Sequence, residues 1–289
     1  MSGILAILTA AALWGLIGPL AKYAFAHGFT PMEVAFWRAA LAWGFFATHA
    51  GLRGQLRIQW RDLGPTIVFG FFSVSVFFGA YQVAVARSGA AVAAVLLYTA
   101  PSWVALLSRL LFSEALTPIK LASIALSTLG VAAVAFGRAD LGPVNLDWIG
   151  VTAGLTAGLT YAIYYIFGKH YLGSYPSGTL FFYALPVGAL FLWPVADFGY
   201  HPFPAWLAVG AIAFFSTYLA YAVYCHGLKR LQPARAAVLA TFEPVVAAIL
   251  AVIWWGERFT LLGIIGGLCI VGGVVWMSCA REPGPKSRH

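Results

Sequence analysis

The second half of this chain repeats the first. Residues 73–117 align with 216–260 at a constant offset of 143, without a gap, and 13 of the 45 positions are identical. Ser73 falls on Ser216, Tyr81 on Tyr224, Arg87 on Arg230, Pro101 on Pro244, Glu114 on Glu257 and Thr117 on Thr260. Further on, Gly130 meets Gly273. Near the start the offset is 147, so Thr9 meets Thr156, Trp14 meets Tyr161 and Lys22 meets Lys169. Both copies are almost wholly apolar. A duplicated apolar unit confines the chain to two like halves, and many membrane carriers place a site between such halves.

Composition decides the solvent. Apolar residues make up 62% and charged residues 9%, against about 25% charge in water-soluble domains. So little polar surface cannot cover a soluble globule, and the lipid bilayer is the natural surrounding. The net charge of +8 is scattered over short loops, with no basic cluster of the kind that binds nucleic acid. It reads as loop charge that sets membrane orientation. Cys225, Cys269 and Cys279 lie in apolar segments without CxxC or His partners, so neither a metal site nor any other cofactor is expected. The first apolar run lacks a basic leader region and reads as a spanning helix, not a cleaved peptide.

A spanning helix needs about 20 apolar residues. Ten candidates fit, at 3–26, 32–51, 62–86, 89–112, 118–137, 146–169, 176–196, 203–228, 233–255 and 260–280. Breakers or charges separate them, among them Gly28 to Pro31, Arg53 to Arg61, Thr117-Pro118, Gly142-Pro143 and Gln232-Pro233. With the N-terminus inside, 12 Lys and Arg fall in inner segments and 5 in outer ones. The inner set includes Arg53, Arg57, Arg61, Arg281, Lys286 and Arg288, and the outer set includes Lys22, Arg38 and Arg138. That asymmetry puts both termini in the cytoplasm. Five helices per copy is an odd number, so the second copy enters from the opposite face. The expected fold is all-α, ten transmembrane helices as two inverted five-helix repeats, residues 1–140 and 141–289, forming one transporter unit.

The second copy contains Ala234-Arg235-Ala236-Ala237-Val238-Leu239, Glu243-Pro244, Gly256-Glu257-Arg258-Phe259-Thr260 and Gly272-Gly273. The first contains Leu13-Trp14-Gly15, Trp37-Arg38, Pro101 and Ser113-Glu114. This pattern closely resembles the EamA branch of the drug/metabolite transporter superfamily, over about residues 3–280, and the duplicated Pro-x12-Glu spacing makes it specific. The density of Tyr and Trp looks like the aromatic amino acid exporters of the YddG type. The resemblance implies a multi-pass exporter of a bacterial-type inner membrane. It also implies a cavity lined mainly by the third, fourth, eighth and ninth helices and aided by the first and sixth.

Pro101 and Pro244 lie mid-membrane. Each removes a backbone hydrogen bond, so the carbonyls of Leu97 and Ala240 lose their partners and should face protein or a wet cavity. Glu243 is a carboxylate near the bilayer centre, which costs at least ~2.5 kcal/mol unless protonated, paired or wet. Proton coupling and contact with a substrate ammonium are possible roles. The Glu-Pro pair in many family members with unlike substrates favours structure or gating.

Aromatic residues supply the cavity argument. Tyr81 and Tyr224 are mates, as are Phe78 and Tyr221, and Trp14 and Tyr161. Tyr218, Tyr221 and Cys225 fall on one face at helical spacing. Tyr98, Thr99 and Trp103 flank Pro101, and Thr241 and Phe242 precede Glu243. These rings could equally form interfacial belts or simply pack. The Gly150/Gly154/Gly158 and Gly263/Gly267 stripes suit close packing inside the protomer, with a dimer face as the alternative; the chain is expected to be a monomer or weak homodimer. Arg53, Arg57 and Arg61, with Leu56, Ile58 and Trp60, would anchor on the inner lipid surface. No nucleophile–base pair or P-loop occurs, so the expected function is transport of a small-molecule substrate and not catalysis. The substrate reading is export of neutral and aromatic amino acids by alternating access. The alternatives are a broad drug or metabolite exporter and, more remotely, a membrane enzyme or channel.

Overall fold

The structure, a computed structural model, describes residues 2–139 and 146–280. The expected turn at Gly142-Pro143, the boundary between the two repeats, and Arg281, Lys286 and Arg288 lie outside the described residues. Among the described residues there are ten long helical rods: α1 (Gly3–Ala26), α2 (Pro31–Leu52), α3 (Trp60–Ser88), α4 (Ala90–Phe112), α5 (Pro118–Phe136), α6 (Trp148–Tyr171), α7 (Ser177–Val195), α8 (Phe203–Leu228), α9 (Pro233–Trp255) and α10 (Leu261–Cys279). Among the described residues, nine are long and apolar enough to cross a membrane. The exception is α2, whose apolar run is interrupted by Glu33, Arg38 and His49.

Start signals in the sequence set several boundaries. The side chains of Ser2, Thr30, Thr117 and Asp147 accept from the backbone N–H three residues on and cap α1, α2, α5 and α6, satisfying donors that a helix N-terminus leaves free. Pro31 and Pro118 occupy the first helical position, where a missing N–H costs nothing.

The repeat is visible in backbone detail. Both α3 and α8 carry a π-helical stretch, at Phe71–Val76 and Ile212–Leu219. In each, the mated serine donates to the helix alongside: Ser73 Oγ to Thr160 O at 3.5 Å, Ser216 Oγ to Leu13 O at 2.6 Å. Leu13 and Thr160 are themselves 147 residues apart, the offset of the first and sixth helices. The packing follows the same exchange. The pair α1 with α8 is matched by α6 with α3, α2 with α8 by α7 with α3, and α1 with α9 by α6 with α4.

Small residues let α5 and α10 meet closely. A Cβ on Gly130 would lie 2.7 Å from the Gly266 carbonyl oxygen, and one on Gly266 2.6 Å from that of Gly130. The sequence pairing of Gly263 with Gly267 is thus half right: Gly263 packs on Gly137, Gly267 faces open space, and Gly266 makes the second contact. The Gly150, Gly154 and Gly158 face is spent within the chain, against Arg87-Ser88, Leu96 and Leu96-Thr99. The Arg53–Arg61 loop is tied to the α6–α7 region, with the Gln59 N–H donating to the Tyr175 hydroxyl at 3.2 Å and Thr179 Oγ1 donating to Gln55 O at 2.7 Å, while Trp60 stands exposed.

Proline does more than kink α4 and α9. Each rod divides into two helices, Ala90–Leu97 and Ala100–Phe112 in α4, Pro233–Ala240 and Glu243–Trp255 in α9. Thr99 and Thr241 sit in the breaks and donate back to Leu96 O and Val238 O, both at 2.6 Å. Pro101 and Pro244 offer no N–H to the Leu97 and Ala240 carbonyls four residues earlier.

The two ends of this assembly differ. The first half of α9 packs on the second half of α4, and all of its residues, Pro233 to Ala240, are buried. The second half of α9 has no buried residue and no comparable packing on the first half of α4. At the sealed end, Lys120 contacts the carboxylate of Glu114 and donates to Gln232 Oε1 at 2.6 Å; the pair is 6% and 4% exposed. At the other end Glu257, the mate of Glu114, meets Lys22 at 2.7 Å and Arg138 at 3.1 Å, and both cations are substantially exposed. A cleft between the halves therefore opens towards the Glu257 end and is closed at the Glu114 end.

Candidate functional site

The breaks in α4 and α9 place the chemistry. Glu243 is the first residue of the second half of α9, followed by Pro244. Its carboxylate sits at the positive end of a short helix, which favours a negative charge, so it is not a mid-helix carboxylate as its sequence position suggested. It lies deep in the assembly yet is only half-buried, as expected of a group on the wall of a cleft. The Tyr98 hydroxyl, from the break in α4, lies within electrostatic reach of it, as do Tyr81, Tyr161 and Tyr165.

An aromatic wall continues from there along α6 and α8. Tyr161 stacks on Phe77 at 5.4 Å and meets Tyr165 edge-on at 5.7 Å. Tyr165 meets Tyr224 at 5.5 Å, and Tyr224 meets Trp14 at 5.4 Å. The Tyr221 hydroxyl bonds that of Tyr164 at 3.3 Å while its ring stacks on Phe181 at 4.8 Å. A small crevice at the sealed side, lined by Phe69, Tyr164, Phe167, Phe181, Tyr224 and Cys225, has room for about one water.

The sequence candidates fall into three groups. Phe78, Tyr81, Thr99, Tyr161, Phe242 and Glu243 are partly exposed towards the cleft, and Tyr98 and Pro101 are buried beside them on α4. Trp14, Tyr221, Tyr224 and Thr241 are buried in the closed part of the assembly. There the Trp14 Nε1 and Tyr224 hydroxyl have no hydrogen-bond partner among the described residues. Trp103 is half-buried on the second half of α4. Tyr218 stands apart: its hydroxyl meets His49 Nδ1 at 2.9 Å and its ring packs on Phe45 and Phe46 of α2. It lies inside the π-helical stretch and Tyr221 just beyond it, so ideal α-helical spacing does not carry from one to the other.

Sequence reasoning missed several residues. Tyr164 and Tyr165 follow Tyr161 at three and four residues, a helical spacing that would have marked them. Arg38 counts among the outer basic residues, at a helix end, yet it is 8% exposed. Its Nε donates to Thr217 Oγ1 at 2.7 Å, and its guanidinium lies over the Phe78 ring at 5.1 Å. The available signal was a basic residue inside a run otherwise long enough to span.

Known proteins share this architecture. The model of the EamA-like transporter family matches twice, over residues 1–136 and 148–279. The chain belongs to the EamA-like transporter family. An uncharacterised transporter of Archaeoglobus fulgidus is 30% identical over 264 residues, 90% of this chain and 92% of that one. The uncharacterised transporter YdfC of Bacillus subtilis is 26% identical, covering 86% of this chain and 82% of its own length. A probable terminal-alkyne amino-acid exporter of Streptantibioticus cattleyicolor is 24% identical, covering 91% and 92%. A solved crystal structure superposes with a TM-score of 0.83 at 20% identity, covering 95% of both chains; it supports the fold. The EamA-like chain is thus a multi-pass membrane transporter and not an enzyme, and it handles a small-molecule substrate within a lipid bilayer.

Proposed function

We propose that this EamA-like transporter exports neutral amino acids with large side chains, aromatic ones included, by alternating access between residues 1–140 and 141–289. Both termini lie in the cytoplasm of a bacterial-type inner membrane. The observation that carries the reading is the cleft, open at the Glu257 end, sealed at the Glu114 end and walled by Phe78, Tyr81 and Tyr161 with Tyr98 beside them. Cytoplasmic termini make the Glu257 end the outer one, so this is an outward-open state. Because the halves are inverted copies, exchanging their conformations opens the other end.

Rings in the wall suit an aromatic side chain, at roughly 0.5–1.5 kcal/mol per well-placed pair. Tyr81 reaches the cleft directly; Tyr224, its mate, would take the corresponding place when the inner end opens. The distant likeness to an amino-acid exporter points the same way, and so does the aromatic density that resembles the YddG type. Apolar discrimination is worth only about 1–3 kcal/mol per methylene-sized difference, so selectivity is broad.

Proteoliposomes preloaded with labelled tryptophan, phenylalanine, threonine and alanine test this. Tryptophan and phenylalanine should leave fastest, and Tyr81→Ala should slow them about tenfold more than alanine. If no amino acid moves while a cationic drug or nucleobase does, the amino-acid reading fails and the broad-exporter reading replaces it.

A further inference from the structure

Arg38 is a cation with one half of its head group held and the other half unused. Its Nε is fixed by Thr217, whose own hydroxyl donates to Ile212 O at 3.1 Å inside the π-helical stretch of α8. Thr217 thus spends its one donor on that carbonyl and is left to accept from Arg38, which orients the guanidinium. The two terminal nitrogens of Arg38 make no hydrogen bond to any described residue, and neither is sealed from water-sized contact. No carboxylate of the described residues forms a salt bridge with it. Glu33, five residues earlier on the same helix, is instead taken by His201 at 2.9 Å. Glu243 lies within electrostatic reach of Arg38 and forms no salt bridge with it.

A buried arginine with two free donors is costly inside a membrane protein unless something occupies those donors at some stage of the cycle. Its planar fork matches a carboxylate through two parallel N–H···O bonds. The Phe78 ring under the guanidinium leaves its edge free for such a partner. The position is also one-sided. Offsets of 143 to 147 carry Arg38 to residues 181–185, Phe-Phe-Tyr-Ala-Leu, which hold no charge. Whatever Arg38 binds is bound by one repeat alone, as a substrate with two unlike ends requires.

We propose that Arg38 is a substrate-binding residue that receives the carboxylate of the transported molecule, with Thr217 as its positioning residue. This rests on the amino-acid reading above and deepens it by naming the group that is recognised. The substrate class is a monocarboxylate with an apolar or aromatic body. Its ring lies along Phe78 and Tyr81, with the carboxylate at the Arg38 edge.

The test uses the purified full-length chain in proteoliposomes, with counterflow of labelled phenylalanine and ligand-induced thermal shifts in detergent. The probes are phenylalanine, phenylalaninamide, which lacks the carboxylate, and 3-phenylpropanoate, which lacks the ammonium. In the unaltered protein, phenylalanine and 3-phenylpropanoate should bind at least about tenfold more tightly than the amide. Arg38→Gln should weaken both carboxylates about 10- to 100-fold and leave the amide unchanged. Arg38→Lys should fall between, because a point charge replaces a fork. Thr217→Val, which leaves the charge in place, should cost phenylalanine a few-fold with the amide again unaffected.

Equal binding of amide and acid by the unaltered protein would overturn the proposal. So would equal losses for both in Arg38→Gln and Thr217→Val, the result of a merely structural arginine. Arg38-dependent binding of 3-phenylpropanoate with no amino acid bound or carried would keep the carboxylate site and sink the amino-acid reading. Phenylalanine transport indifferent to Arg38→Gln would do the reverse.

Discussion

A buried ion pair stands at the sealed end of the cleft, and removing half of it should tip the transport cycle. Glu114 and Lys120 are 4% and 6% exposed, and Glu114 Oε2 has no hydrogen-bond partner among the described residues, so its charge depends on Lys120. Lys120→Met would leave that carboxylate buried and unpaired, at a cost of about 3–5 kcal/mol. The cost falls on the closed inner end and is relieved when that end opens to water. A bias of this size approaches the ~5.5 kcal/mol that inverts a 1:99 equilibrium. The mated cluster offers a contrast. Glu257 pairs with cations that are 47% and 37% exposed, and breaking such partly solvated pairs is worth about 0–1 kcal/mol each.

The assay is thiol labelling with a membrane-impermeant reagent, in a background lacking Cys225, Cys269 and Cys279. Phe242→Cys reports the open cleft, and Val238→Cys reports the sealed half of α9, where Val238 is 0% exposed. With Lys120 present, position 242 should react from outside and position 238 should be inert. Lys120→Met should reduce outside labelling at 242 and make 238 reactive from the cytoplasmic side. Adding Glu114→Gln to Lys120→Met removes the orphaned charge and should restore the original pattern. Equal reactivity of 238 and 242 in the parent protein would refute the assignment of open and sealed ends. An unchanged pattern in a stable Lys120→Met protein would refute the gating role.

Two further expectations follow from single contacts. Glu243→Gln keeps the size of the side chain and a hydrogen-bonding group beside Tyr98, so it should slow transport several-fold with the ranking of substrates unchanged, as counterflow with several amino acids would show; full activity with no response to a pH gradient would assign Glu243 to proton coupling instead. Gly266→Ala would press a methyl group against the Gly130 carbonyl, a backbone atom 2.6 Å away, and should lower the melting temperature by the equivalent of about 1–3 kcal/mol, whereas Gly267→Ala, facing open space, should leave it nearly unchanged.

The architecture was legible because bilayer physics leaves few options. Long apolar runs, turn residues between them and a gapless internal repeat are enough to give ten helices in two like halves. The break points were legible too, since Pro101 and Pro244 deprive Leu97 and Ala240 of their partners in any helix. The division of the aromatic residues was not. Trp14 and Tyr161 are mates, as are Tyr81 and Tyr224, yet in each pair one is buried in the closed part and the other lines the cleft. A repeat predicts that two positions are equivalent over the whole cycle, but a single conformation must break that equivalence for one end to be open. Tyr218 shows a local version of the same limit, because ideal helical spacing fails across a π-helical stretch. Arg38 was hidden for a different reason. Loop-charge counting treats each basic residue as a marker of orientation, and that rule has no place for an arginine whose head group is drawn into the protein by a threonine 179 residues away. The apolar deficit of α2 was the trace it left. In a chain otherwise so poor in charge, a helix that spends apolar character on a glutamate and an arginine is the place to look for chemistry. Glu33 pairs with His201, and Arg38 is left with two terminal nitrogens that no described residue accepts from.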